Sequence, residues 1–282
     1  STFRPVSLGA KLSIKLTCDV REQETANVLG WLERSDPVLK NEAVIYMAHH
    51  DHLGIAVERT ASGDTIYNGA IDNASGSASM LAIASAYARC SERPKRSILF
   101  AAVGAEEQGL LGSKYFAEHP VMPPGKMAAV INIDGISFLG RTHDVNVIGG
   151  GKSNLDGVLE SVSRWQNRVV TQDHFPDRGY YYRSDQFSLA KIGVPALYLH
   201  AGTSIVGHPS EWGKEQQEKW VEKHYHQPSD EYDPNWDLSG AVEDARLLFH
   251  AGQIISNQNA MPAWNAGDEF ELARKSALEA IK

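Results

Sequence analysis

Five short apolar runs punctuate the chain: AVIYMA (43–48), SILFAAV (97–103), MAAVINI (127–133), DVNVIG (144–149) and PALYLH (195–200). Continuous runs of this length, rich in β-branched and aromatic residues, predict strands buried on both faces. Between and after them the pattern changes to helical spacing, over 74–90, 108–119, 153–167 and 184–193, with two more predicted helices near the C-terminus at 239–257 and 268–282. The segment 184–193 ends on Gly193 with Pro195 just beyond, a helix-stop signal. Alternation of this kind predicts an α/β fold with a mostly parallel, mixed central sheet flanked by helices on both faces.

Composition narrows what such a fold can do. The 282 residues are 42% hydrophobic and 22% charged, with a formal net charge of -8. The basic residues are scattered rather than gathered in stripes, which argues against nucleic acid and anionic membrane as partners. No apolar stretch approaches the roughly 18 residues of a membrane span, and STFRPVSLGA lacks the charged start and apolar centre of a signal peptide. Cys18 and Cys90 form neither a CxxC pair nor a disulfide framework; they could pair with each other, and buried free thiols are the plainer reading. There is no repeat and no linker, so residues 1–282 read as a single catalytic domain. The one compositional break, a polar stretch within about 203–234, reads as an active-site loop insertion.

The chemistry gathers where the strands end. The first strand runs into His49, His50, Asp51 and His52, the second into Glu106 and Glu107, the third into Asp134. In open α/β sheets ligands bind beyond the carboxyl ends of strands, so these groups can converge on one crevice. YNGAIDNASGSA adds Asp72 and Asn73 before a helix, and HYHQPSDEY adds His224 and His226. Taken singly, each has an ordinary explanation: Asp and Asn cap helices, and paired glutamates complement a helix dipole. Five clusters at strand ends and loop mouths are harder to explain in that way. Together they offer imidazole and carboxylate without thiolate, a donor set suited to zinc and larger than one tetrahedral ion requires. Two ions sharing a carboxylate, with one glutamate left as base, account for the surplus. Other motifs are incomplete: GGGKSN lacks the first glycine of a phosphate loop, and neither HExxH nor GxSxG is present.

AHHDHLG, NGAIDNASG, ILFAAVGAEEQGLLGSKYF, VINIDGIS, YRSDQFSLAKIGVPAL and YHQPSDEYD, in this order, resemble the co-catalytic di-zinc aminopeptidases of the aminopeptidase Y and bacterial leucyl aminopeptidase type. Glutamate carboxypeptidase II, glutaminyl cyclase and the transferrin receptor ectodomain are more distant relatives. The resemblance implies a zinc-exopeptidase (phosphorylase/hydrolase-like) fold. It also implies two zinc ions per chain, peptide substrates with a free amino terminus, and a secreted or periplasmic location. It assigns His49 and Asp134 to one ion, Glu107 and His226 to the other, and Asp72 to both. Glu106 becomes the general base that activates a zinc-bound hydroxide, and Asp51 orients the His49 ring from behind. His52 is left out of the ligand set. A tyrosine from GYYYRSD, by spacing Tyr181, assists the oxyanion, and the Asp72–Asn73 peptide is expected to be cis. A glutaminyl cyclase-like transferase, a carboxypeptidase and a non-catalytic binding module are the alternatives on the same fold.

Overall fold

A computed structural model of the chain describes residues 3–18, 20, 22–34, 36–56, 63–91 and 93–282. In chain order its strands and helices are β1 (Val28–Leu32), β2 (Ala43–His49), β3 (Gly54–Ile55), β4 (Ile66–Tyr67), α1 (Gly76–Arg89), β5 (Ser97–Val103), α2 (Leu111–Glu118), β6 (Met127–Asn132), β7 (Asp144–Val147), α3 (Leu155–Trp165), β8 (Val169–Gln172), α4 (Gln186–Lys191), β9 (Ala196–His200), α5 (Trp212–Lys223), α6 (Ser239–Asn257) and α7 (Glu271–Glu279). Seven strands form one mixed sheet in the order β1-β5-β2-β6-β9-β7-β8, and β3 and β4 pair apart from it. Strands β5, β2, β6 and β9 run parallel, whereas β1 joins β5 and β7 joins β9 antiparallel.

The five predicted strands are all present, and β2 shows why a continuous apolar run is needed. Every residue of it is buried. Val44, Tyr46 and Ala48 point into the core shared with α1, α3 and α6, while Ala43, Ile45 and Met47 point into the opposite core with Phe116 of α2 and Leu189 of α4. Each large apolar side chain so buried contributes about 1.5–3 kcal/mol. The polar tip of Tyr46 is satisfied: its hydroxyl donates to the Leu248 carbonyl at 2.9 Å and lies 3.2 Å from the Tyr87 hydroxyl. Gly252 makes room for it, since a Cβ there would lie 1.9 Å from that oxygen.

Three differences from the sequence expectation stand out. Strands β1 and β8, absent from the expectation, lie at the sheet edges: β1 is apolar (VLGWL) yet mostly exposed, and β8 is a short VVTQ. The polar stretch within 203–234 is not all loop, because α5 spans Trp212–Lys223. Its helix holds through Trp220, packed on Phe138 at 5.8 Å, and through an i,i+4 pair of Glu215 and Lys219 at 3.9 Å. The thiols are not both buried either: Cys18 is exposed and Cys90 half-buried. Among the described residues no helix is long and apolar enough to cross a membrane.

Candidate metal centre and cleft

Register brings the predicted residues together. His49 is the last residue of β2 and sits opposite Val103, the last of β5, while Met47 sits opposite Asn132, the last of β6. The turns after β5 and β6 therefore deliver Glu106, Glu107 and Asp134 beside His49. After β5 the chain bends at Ala105, with φ of 56°, a left-handed conformation rare outside glycine. The Asp51 carboxylate supports that bend by accepting the Ala105 N–H at 2.5 Å.

Asp72 stands at the centre. Its Oδ1 lies 3.2 Å from His49 Nε2, and its Oδ2 lies 3.2 Å from His226 Nε2. Asp134 Oδ1 faces the first imidazole at 3.3 Å, and Glu107 Oε2 faces the second at 3.0 Å. The peptide between Asp72 and Asn73 is cis, as expected. The Asn73 side chain donates to the Ile133 carbonyl at 2.9 Å and accepts N–H bonds from Gly76 at 2.9 Å and Gly135 at 3.1 Å. It thereby ties the Asp72 turn to the loop that carries Asp134. The outer oxygen of Asp134 accepts the Ser184 hydroxyl at 2.6 Å and the Tyr198 hydroxyl at 3.4 Å.

The four adjacent groups of AHHDHLG separate cleanly. His49 belongs to the cluster. His50 turns outward and approaches the Ala26 carbonyl at 3.0 Å. Asp51 does orient the His49 ring, but with its main-chain oxygen, 3.0 Å from Nδ1, because its carboxylate is engaged at Ala105. His52, left out of the expected set, reaches the cluster: its Nδ1 comes within 2.7 Å of Glu107 Oε1, without hydrogen-bond alignment. Nothing in its sequence position separates it from a solvated loop histidine.

The expected tyrosine is corrected. Tyr181 is buried among Ile148, Tyr198, Trp264 and Phe270, and it does not line the cleft. One residue of register turns it inward and leaves Tyr180 at the cleft wall, where the Tyr180 hydroxyl already accepts from Arg178 at 3.1 Å. Tyr225 takes the position beside the cluster. It stacks on His226 with centroids 3.8 Å apart and lines the cleft with Glu106, Asp72 and Asp134. Burial, with Asp72 and Glu107 nearby, pushes its hydroxyl pKa up. Phe138, Phe175 and Trp220 supply apolar wall, and Arg178 and Arg183 also line it.

The profile of peptidase family M28 matches residues 27–249. The chain belongs to that family. Curated relatives include leupeptin-inactivating enzyme 1 of Streptomyces exfoliatus, 40% identical over 76 residues, which are 26% of this chain and 17% of that protein. The mouse aminopeptidase NAALADL1 is 32% identical over 143 residues, 49% of this chain and 17% of that protein. The matched stretch thus spans about a sixth of each of these relatives. The Legionella pneumophila LapA aminopeptidase structure shares the fold, with a TM-score of 0.57 and 20% identity over 84% of this chain and 60% of that one.

In this member of family M28 the donor set fits divalent metal. His49, Asp72 and Asp134 form one group and His52, Asp72 and Glu107 another, each with ligand atoms within 4.8 Å of one another. Electrostatics points the same way. Burial opposes charge on His49, yet hydrogen bonding to Asp134 and Asp72 raises its pKa to about 12, and Asp72 and Glu107 raise His226 to about 9. Burial likewise opposes charge on Glu107, but His226 and His52 hold it down to about 2. Burial, then the nearby Asp134, drives Glu106 up to about 9. A metal-free centre at pH 7 therefore carries protons on His49 and His226, and a metal must displace them because it binds neutral imidazole. Zinc uptake at pH 7 is expected to release about three protons, from His49, His226 and Glu106, and apparent affinity should rise with pH through about 9, where His226 and Glu106 are half deprotonated, and on toward about 12 as His49 loses its proton. Calorimetry in buffers of different ionisation enthalpy measures the release; uptake with no proton released would contradict this picture.

Proposed function

We propose that this M28 peptidase is a zinc-dependent aminopeptidase that holds two zinc ions, one at His49 and Asp134, the other at Glu107 and His226, with Asp72 shared. The observation that carries the proposal is the division of the Asp72 carboxylate, one oxygen toward each imidazole. Zinc in such sites lowers the pKa of bound water and polarises a carbonyl oxygen.

The residues of the chain supply the rest. Glu106, in the cleft and contacting neither imidazole of the cluster, takes the proton from the attacking water and returns it to the leaving amine. Glu106 would be held as the carboxylate once dications occupied the neighbouring groups, since opposite charge favours the ionised acid. Tyr225 lines the cleft beside His226, and its hydroxyl is the donor assigned to the developing oxyanion. Asp134 and Ser184 fix the His49 side, so the general base works against a floor that does not shift.

Which end of the peptide enters follows from charge. Asp72, Glu106 and Asp134 crowd the inner end of the cleft and favour a cationic α-amino group. A terminal carboxylate would have to be clamped by Arg183, exposed at the wall, and by Arg178, which already donates to the Tyr180 hydroxyl. The peptidase is expected to cleave an aminoacyl p-nitroanilide and to ignore its N-acetylated form, because acetylation removes the recognised charge. Equal cleavage of the blocked substrate would reject aminopeptidase action, and preference for a free carboxyl terminus would favour the carboxypeptidase alternative.

A further inference from the structure

Asp230 is 1% exposed and touches no imidazole, yet it is wired into the centre through the main chain. Its Oδ1 accepts the Ile71 N–H at 2.9 Å, and its Oδ2 accepts the N–H of Ile71 at 3.2 Å and of Asp72 at 3.0 Å. Its own carbonyl accepts the Ala70 N–H at 3.0 Å. A carboxylate out of water is costly unless its lone pairs are filled, and charge-assisted N–H bonds are the strong kind that fill them. The same loop carries His226 four residues earlier, and His226 faces Asp72 Oδ2. One loop thus supplies a metal-ligating side chain and a clamp on the backbone of the carboxylate opposite it. The His49 side has further supports, Ser184 and Tyr198 on Asp134, and is tied to this loop through the shared Asp72.

We infer that Asp230 is a positioning residue: it locks residues 70–72 to loop 226–230 and so fixes Asp72 relative to His226 and Glu107 before any metal arrives. The inference rests on the two-zinc proposal above. A neighbouring tie provides a control, since Asn68 Nδ2 also binds this loop, at the Pro228 carbonyl and Glu231 Oε1, both at 3.2 Å, without touching Asp72.

The test is zinc titration of wild type, Asp230→Asn and Asn68→Ala by calorimetry, with cobalt(II) absorption as a second readout. Asparagine at 230 turns one acceptor into a donor facing N–H groups. Asp230→Asn should weaken binding of both ions, because Asp72 is shared, with the ion at Glu107 and His226 weakened at least about ten-fold and more than the other, and its cobalt spectrum changed. Asn68→Ala should keep both affinities. Wild-type affinity for both ions in Asp230→Asn, whatever its Tm, overturns the inference. A wild type that binds one ion instead overturns the two-zinc proposal. Amide hydrogen exchange on the wild type decides the clamp in that event, and also if Asp230→Asn does not fold. Ile71 and Asp72 amides already protected before zinc is added support it, and amides that become protected only with zinc overturn it.

Discussion

Glu106→Gln is expected to keep the fold and the full complement of zinc while lowering kcat by about 10²–10⁴, the range for loss of general acid–base catalysis. Glu107→Gln should do the opposite. It removes the charge that faces His226 at 3.0 Å and His52 at 2.7 Å, so metal binding weakens and excess zinc restores part of the activity. The two glutamates are adjacent, but the bend at Ala105 sends Glu107 to the imidazoles and Glu106 to the cleft. Kinetics and elemental analysis on both variants read the difference directly. Metal loss in Glu106→Gln with retained metal in Glu107→Gln would exchange the roles.

Asp72→Ala carries the other large effect. Because the carboxylate faces both imidazoles, its removal is expected to cost both zinc ions and abolish turnover. Stability gives an independent measure. A ligand at 1,000 times its Kd stabilises a protein by about 4.1 kcal/mol, and each kcal/mol is worth about 2–4 °C in Tm for a chain near this size. Chelation, which removes two such ions, should therefore lower the wild-type Tm by roughly 16–33 °C at such zinc levels and leave that of Asp72→Ala unmoved. An Asp72→Ala protein whose Tm and activity still respond to zinc would end the shared-carboxylate account.

The floor of the site was legible in the sequence because strand ends are. A run such as AVIYMAH announces where a buried strand stops, and the first polar residues beyond it must lie at the sheet's carboxyl edge. His49, Glu106, Glu107 and Asp134 came from that argument, and Asp72 and His226 from motif order. What stayed hidden depends on contacts between distant segments. Tyr225 and Tyr181 are both tyrosines in polar loops, and only tertiary packing decides that Tyr181 goes under Phe270 while Tyr225 stacks on His226. His52 and Asp51 follow the same rule: one meets Glu107 and the other caps Ala105, partners more than 50 residues away along the chain. Helix α5 escaped because its residues are polar nearly all round, and its hold on the fold comes from Trp220 against Phe138 and from Gly213 seated under the Thr203 carbonyl.

Floor and walls of the cleft have different origins. His49 terminates a wholly buried strand, and its partners follow the two strands beside it. Phe175, Arg178, Tyr180, Trp220 and Tyr225 all come from outside the sheet, from the segments on either side of β9. Substitutions at Phe175 and Arg178 leave His49, Asp72, Glu107 and Asp134 in place, whereas Tyr180 and Tyr225 are tied to the interior and to His226. For engineering, this points to single wall positions such as Phe175 and Arg178 rather than to whole-segment grafts, since 173–183 and 208–225 also carry the buried Tyr181, the Trp220 contact that holds α5, and Tyr225 against His226.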